Sequence, residues 1–443
     1  MKFKGLLTAV IVLAALGGGV YWSDKTKKAE EKAPPKDAPP KVLTIPEDQF
    51  KGIRLQKAGG DTTVVEKSDA GKWAISQPKP LAADQDAVGS MVSTLASLTS
   101  DRLIEDKASD LAAYGLASPG LEVVVTKKDG KTEDLLIGDD TPTGGSAFVK
   151  LKNDPRVFSV SSSVKSGLDK TSKDLRDKRL LTFDSDKLTR VELQAKGAPI
   201  EFGKNNQNEW QILKPKALRA DGSQVEDLVR KLKDAKMDTS ISDDEAKKAA
   251  AAFGSSARVA VVNVADSSGT QTLEVRKDKD KNYYVKSSVL EGIHKANADL
   301  GDGLDKDLDS FRNKKLFDFG FNDPTKVTIN KASYEKSGDK WMSGGKQMDS
   351  MTVQSVIDKL RDLASTKYLD AGSGETALEV AVTSNDGKRN EKVVIMKQGA
   401  AFIAKRDNEP SVYQLDPKAV EELQKAVADI KEFQPPKTDT KKK

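Results

Sequence analysis

The segment GLDKTSKDLRDKRLLTF (167–183) returns 136 residues later as GLDKDLDSFRNKKLFDF (303–319), with eight of 17 positions identical. A chain that repeats such a segment folds as copies of one unit, and this constrains architecture more than any bulk property. A second signature carries the same message. KWAISQPKPLAADQDAVGSMVSTLASL from Lys72 aligns without a gap on EWQILKPKALRADGSQVEDLVRKLKDA from Glu209. Trp73 meets Trp210, Ile75 meets Ile212, Pro78 meets Pro215 and Asp84 meets Asp221. A third copy, KWMSGGKQMDSMTVQSVIDKLRDL from Lys340, is three residues shorter before its helix and places Asp349 at the aspartate position.

After each aspartate the apolar residues follow a helical period: Val88, Met91, Val92 and Leu95; Val225, Leu228, Val229 and Leu232; Val353, Val356, Ile357, Leu360 and Leu363. The spacing predicts one amphipathic helix per copy. The recurring aspartate reads as its N-cap, a carboxylate accepting from free first-turn amides. A catalytic or ligand role for Asp84, Asp221 and Asp349 is the competing reading. Around the helix the pattern alternates as strands do. GIRLQ and TTVVEK, RVELQ and PIEFG, and KVTIN and SYEKS precede the three tryptophans, and paired strands around polar turns follow each helix. A short closing helix carries Val164, Leu168 and Leu175, then Leu300, Leu304 and Phe311, then Val420 and Leu423.

The repeat period, between 130 and 140 residues, is far longer than a solenoid unit, so each copy can hold its own core. The expected fold class is α+β: tandem modules, each a mostly antiparallel sheet with an amphipathic helix and a short closing helix. The expected divisions are an N-terminal anchor or signal (1–24), a Pro/Lys-rich linker (25–45), modules at 46–185, 186–320 and 321–433, and a basic tail (434–443). The 167–183 and 303–319 segments are then a closing helix plus the strap that feeds the next module. The third copy has no such strap because no fourth module follows.

At the N-terminus, Lys2 and Lys4 precede 18 uncharged, mostly apolar residues, 5–22. As a helix they extend roughly 27 Å, enough for a bilayer core. Tyr21 and Trp22 stand where an interfacial aromatic belt would lie. The alternative is a cleaved signal, with small residues at 14–19 as the cleavage region. The flanking lysines nearly balance. A basic start followed directly by an apolar run favours export of the remainder. The following DKTKKAEEKAPPKDAPPK reads as an extended tether. The expectation is a single-pass inner-membrane protein, bound to lipid by its N-terminal helix, with its bulk in the periplasm.

Chemistry-capable residues are scarce. The chain has no cysteine, which excludes disulfides, thiolate zinc sites and a cysteine nucleophile. Its net charge of +5 is the small difference between 73 basic and 68 acidic residues, interspersed, which argues against a nucleic-acid partner. His294 is the only histidine, and by the repeat it stands where Phe158 and Tyr413 stand, so it reads as a strand residue rather than a catalyst. The acidic run Asp299, Asp302, Asp305, Asp307 and Asp309 lacks the glycine and glutamate of a calcium loop, because Ser310 and Leu316 fall at those places. It reads as a polar helix face. No phosphate-binding loop and no zinc-protease motif occurs. No catalytic, metal or cofactor residue is therefore assigned, and no cofactor is expected.

The W-x-I-x-x-P stretch with Ala-Asp before an amphipathic helix, YGLASP (114–119), a hairpin ending LLIG and the LRDKRLL strap together resemble a bacterial family, the domain of unknown function 4340. The second copy departs from it, with AFGSSA in place of YGLASP. The resemblance implies one N-terminal membrane segment and an envelope role beside ABC-type permeases or gliding-motility auxiliaries, and brings no catalytic residues. Together these readings suggest a membrane-tethered extracytoplasmic binding or scaffold protein with an envelope or membrane protein partner. The alternative is an envelope hydrolase using Asp or Glu in a cleft between modules.

Overall fold

The computed structural model describes residues 40–241, 243–321, 324–407 and 409–435. The expected anchor, most of the tether and nearly all of the basic tail lie outside them. Among the described residues no helix is long and apolar enough to cross a membrane. The chain divides into two compact units, Met1–Lys178 and Arg179–Lys443. The first holds one sheet and the second holds two.

The first sheet contains β1 (Phe50–Lys57), β2 (Thr62–Lys67), β3 (Trp73–Gln77), β4 (Leu81–Ala82), β5 (Arg102–Glu105), β6 (Leu121–Lys127), β7 (Thr132–Asp140), β8 (Ser146–Leu151) and β9 (Val157–Ser161). Their order is β4-β3-β2-β1-β6-β7-β8-β9-β5. Two antiparallel meanders therefore join through β1 and β6. Helix α1 (Gln85–Ala96) links the halves and buries Val88, Met91, Val92 and Leu95. These close one core with Ile53, Leu55, Val65, Val123, Val125, Leu135 and Phe158. The short helices α2 (Ser162–Leu168) and α3 (Ser172–Leu175) end the module and bury Leu168 and Leu175.

The second module repeats the plan with β10 (Arg190–Gln194), β11 (Ile200–Lys204), β12 (Trp210–Lys214), β13 (Leu218–Arg219), α4 (Gly222–Asp234), β14 (Ala257–Asp266), β15 (Gly269–Lys277), β16 (Tyr283–Ser287) and β17 (Ile293–Ala296). It differs in one respect. Among the described residues the edge strand that β5 supplies in the first module has no counterpart here, and α5 (Asp243–Ser255) stands in the chain instead. The sequence pattern alone does not predict this helix. Its KKAAAA run has high helix propensity and little strand propensity. The closing α6 (Ala298–Leu304) follows.

The third module returns to nine strands: β18 (Lys326–Ile329), β19 (Ala332–Ser337), β20 (Lys340–Ser343), β21 (Lys346–Met348), β22 (Ser365–Leu369), β23 (Glu375–Ser384), β24 (Arg389–Gln398), β25 (Ala401–Arg406) and β26 (Val412–Leu415). Its helices are α7 (Ser350–Asp362) and α8 (Pro417–Ala428). The closing helix has 12 residues, longer than its counterparts. The expected mixed α/β modules with mostly antiparallel sheets are thus present.

Each module opens on the same device. A strap with an x-Φ-Φ-x-Φ pattern (Φ apolar) runs antiparallel to the residues after the long helix and drops its apolar side chains into the core. In the first module it is Val42, Leu43 and Ile45; in the second Leu180, Leu181 and Phe183; in the third Leu316, Phe317 and Phe319. The bridges Lys41↔Thr99, Arg179↔Lys236 and Lys315↔Ala364 are equivalent. Each module also closes equivalently. The N–H of Asp84, Asp221 and Asp349 donates to the carbonyl of Leu175, Phe311 and Lys431 at 2.8, 2.8 and 2.9 Å.

Two motif glycines have a steric cause. Gly115 of YGLASP has φ +66°, a left-handed conformation that disfavours side chains. A Cβ on Gly138, the glycine of LLIG, would collide with the Tyr114 carbonyl. The two motifs are one contact, which folds the loop over Leu116, Phe148 and Val157 on the far face of the sheet.

Candidate functional site at the joint of the second and third modules

The residues weighed in the sequence take structural positions. Asp84 Oδ1 accepts from the N–H groups of Asp86 and Ala87 at 3.1 Å each. Asp221 accepts from Gln224 at 3.2 Å and Asp349 from Met351 at 3.0 Å. All three cap their helices. His294 pairs with Val285 across β16 and β17, as Phe158 pairs with Val149 and Tyr413 with Ala404, so the three share one sheet position. Its Nε2 lies 2.8 Å from the Glu291 carbonyl oxygen. The acidic run is dispersed: Asp302 accepts from Tyr283, Asp305 pairs with Lys196, Asp307 caps Ser310 and Asp309 meets Arg312. Among the described residues no three carboxylate or imidazole groups gather as a metal site would require.

Charge converges instead where the second and third modules join. Arg219, at the end of β13, has a side chain only 13% exposed. Its Nε donates to Glu409 at 2.6 Å, Nη1 to Asp318 at 2.7 Å and Nη2 to the Lys315 carbonyl at 2.6 Å. Arg406, on β25, reaches Glu409 at 2.8 Å and Glu391 at 3.1 Å, and donates to the Leu316 carbonyl. Glu391, only 4% exposed at its side chain, also accepts from the Asp318 N–H at 2.9 Å. Tyr413 donates to Glu409, and Asn313 donates to Asp318 at 2.7 Å. Arg389 joins Glu209 of the second module to the Asp318 carbonyl. A second fastening lies alongside: Arg312 stacks 3.3 Å above the centre of the Tyr368 ring and donates to Ser411 at 2.9 Å.

The electrostatics are those of a clasp. Burial pushes the Glu391 carboxyl above the usual glutamate value, nearby Asp318 adds to this, and Arg406 only partly offsets it. Burial lowers the Arg219 pKa, but Asp318 and Glu409 outweigh that and hold it above the ordinary arginine range. Burial raises the Tyr413 hydroxyl, with Arg219 opposing. Asp318, Glu391 and Glu409 are each held by an arginine, so the cluster forms a fixed set of ion pairs rather than a free acid and base.

Beside the clasp lies a cavity of about 370 Å³, lined by Glu209, Trp210, Arg219, Gly222, Asp318 and Arg389 among others. Sequence reading missed this site because its members lie far apart in the chain. One signal was present. The repeat aligns Arg219 with Ala82, a charge specific to one copy.

A chain of antiparallel sheet modules, each opened by an apolar strap and backed by an Asp-capped helix, with the second and third fastened by ion pairs, defines a tandem-module protein. It belongs to the family described as domain of unknown function (DUF4340), which matches residues 73–215 and again 210–380. No curated protein and no solved structure matches the chain.

Proposed function

We propose that this protein is a membrane-tethered, extracytoplasmic binding or scaffold protein of the bacterial envelope, acting by contact with a membrane complex such as an ABC-type transporter or a gliding-type assembly. The observation that carries the reading is the joint. Its carboxylates are neutralised by arginines, which suits a stiff two-module body with a recess for a partner better than turnover. The apolar N-terminal run supports a single-pass anchor, and the proline-rich segment supports a tether that concentrates the modules near a membrane partner. A hydrolase reading draws only on Glu209, Glu226 and Asp318 at the cavity. Two of these are already paired, with Arg389 and Arg219.

The test is complementation of a deletion strain by a fragment, 40–435, exported without residues 1–39. It should rescue poorly at normal abundance and better when overproduced, because concentration replaces tethering. Full rescue at low abundance would remove the tether from the account. Protease added to cells with a permeabilised outer barrier should degrade the modules, and protection with intact cytoplasmic markers would reverse the proposed topology.

A further inference from the structure

The three copies treat one place in the fold differently. In the first module, the edge strand β4 pairs only with Ala74 and Ile75, leaving Trp73 beyond its reach. Gln85 closes that edge with its carboxamide. Its Oε1 accepts from the Trp73 N–H at 2.9 Å, and its Nε2 donates to the Trp73 and Ala83 carbonyls at 2.9 Å each. In the third module the backbone does this work, because Trp341 pairs directly with Met348. In the second module β13 again pairs only with the next two residues, Gln211 and Ile212. The residue in the place of Gln85 is Gly222.

The second module therefore keeps the edge and lacks the plug. Trp210 opposes Lys204 in the register in which Trp73 opposes Lys67, so its N–H and C=O point away from β11, as those of Trp73 point away from β2. A Cβ on Gly222 would meet nothing within 4 Å. The resulting opening is the 370 Å³ cavity, on which Trp210, Ala220 and Gly222 all border. That size falls toward the lower end of small-ligand sites, about 300–1,000 Å³.

We propose that this cavity binds a primary carboxamide, presented by a glutamine side chain of a partner polypeptide and seated as Gln85 is seated in the first module. The amide oxygen accepts from the Trp210 N–H. The amide nitrogen donates to the Trp210 and Ala220 carbonyls. The polar rim of Asn208, Glu209, Glu226 and Arg389 suits the backbone of an extended polar segment, which can bond to it in turn. A carboxylate in the same seat cannot donate and would face the two carbonyls with its charge. The inference rests on the binding reading given above but not on the tether, so the two fail separately.

The test is ligand-observed magnetic resonance on the full chain with acetyl-Ala-Gln-Ala-N-methylamide, its glutamate analogue and free L-glutamine. The glutamine peptide should bind at least about tenfold more tightly than the glutamate peptide, the scale of one lost hydrogen bond with an unmatched partner. Gly222→Gln should supply the plug and abolish binding while leaving the fold intact. Free glutamine binding as tightly as the peptide would support the carboxamide seat but overturn the polypeptide source. No binding of any probe, or binding that survives Gly222→Gln, would overturn the site.

Discussion

The straps that open the second and third modules meet the same demand with different chemistry. In each, one strap N–H and one strap carbonyl must find partners in the sheet behind them. In the second module these partners are neutral: Thr182 N–H donates to Gln271 at 2.8 Å and Ser287 donates to the Leu180 carbonyl. In the third, Asp318 N–H donates to Glu391 and Arg406 donates to the Leu316 carbonyl. Gln271 and Glu391 occupy one sheet position, since their strand neighbours Leu273 and Val393 pair with Val262 and Val380. The neutral pair closes within its module and asks nothing of a neighbour. The charged pair has no net charge, but it brings two full charges into a buried place, where each needs further partners to offset the loss of water. Arg219 of the second module is one of those partners. Exchanging amide and hydroxyl for carboxylate and guanidinium has turned an internal fastening into a clasp between modules.

The largest effect should come from breaking the clasp on one side. Arg406→Ala leaves Glu391 buried without its cation and should cost about 3–5 kcal/mol in denaturant unfolding. Giving the third module the neutral set, Glu391→Gln with Arg406→Ser, removes both charges and should cost less than about 2 kcal/mol. A double variant as damaged as the single one would mean that the ions, not the hydrogen bonds, hold the strap. In the neutral joint, Ser287→Ala strands the Leu180 carbonyl and should cost about 1 kcal/mol.

A smaller effect concerns pH. The folded-state pKa of Glu391 lies above its unfolded value, so the folded chain holds this proton more tightly. Its contribution to stability is then present in acid and lost as pH rises through the folded pKa. In melting temperatures followed upward from about pH 4, the wild type should lose ground to Glu391→Gln above the ordinary glutamate range. A difference that grows in the opposite direction would contradict the burial argument. Smallest of all, His294→Phe gives the second module the residue the first carries at that position, and should shift stability by no more than about 0.5 kcal/mol.

Much of the fold was legible because it is local and repeated. The helical spacing from Val225 to Leu232, the capping aspartates and the tryptophan strands are each readable within one short window. The lead-in of the first module was also written in the sequence, as KVLTI beside RLLTF and KLFDF, but it sits at the end of a proline-rich stretch whose composition hides it. The clasp was not readable. Arg219 and Glu409 are 190 residues apart, and only the packed sheets bring them together. The cavity left a fainter trace. Gln85 and Gly222 face each other in the repeat alignment, yet the meaning of that difference depends on what Gln85 bonds to.

The passage between the second and third modules has a mechanical consequence. Asn313 makes the last backbone bond of one module, its N–H donating to Arg219, and Lys314 makes the first of the next, its carbonyl accepting from Ser365. The coupling thus has no slack length. A pull along the chain cannot be absorbed by extending a linker there. It loads the strap bonds and the arginine clasp together, so a tug on one module arrives at the other as torque and tension rather than as play.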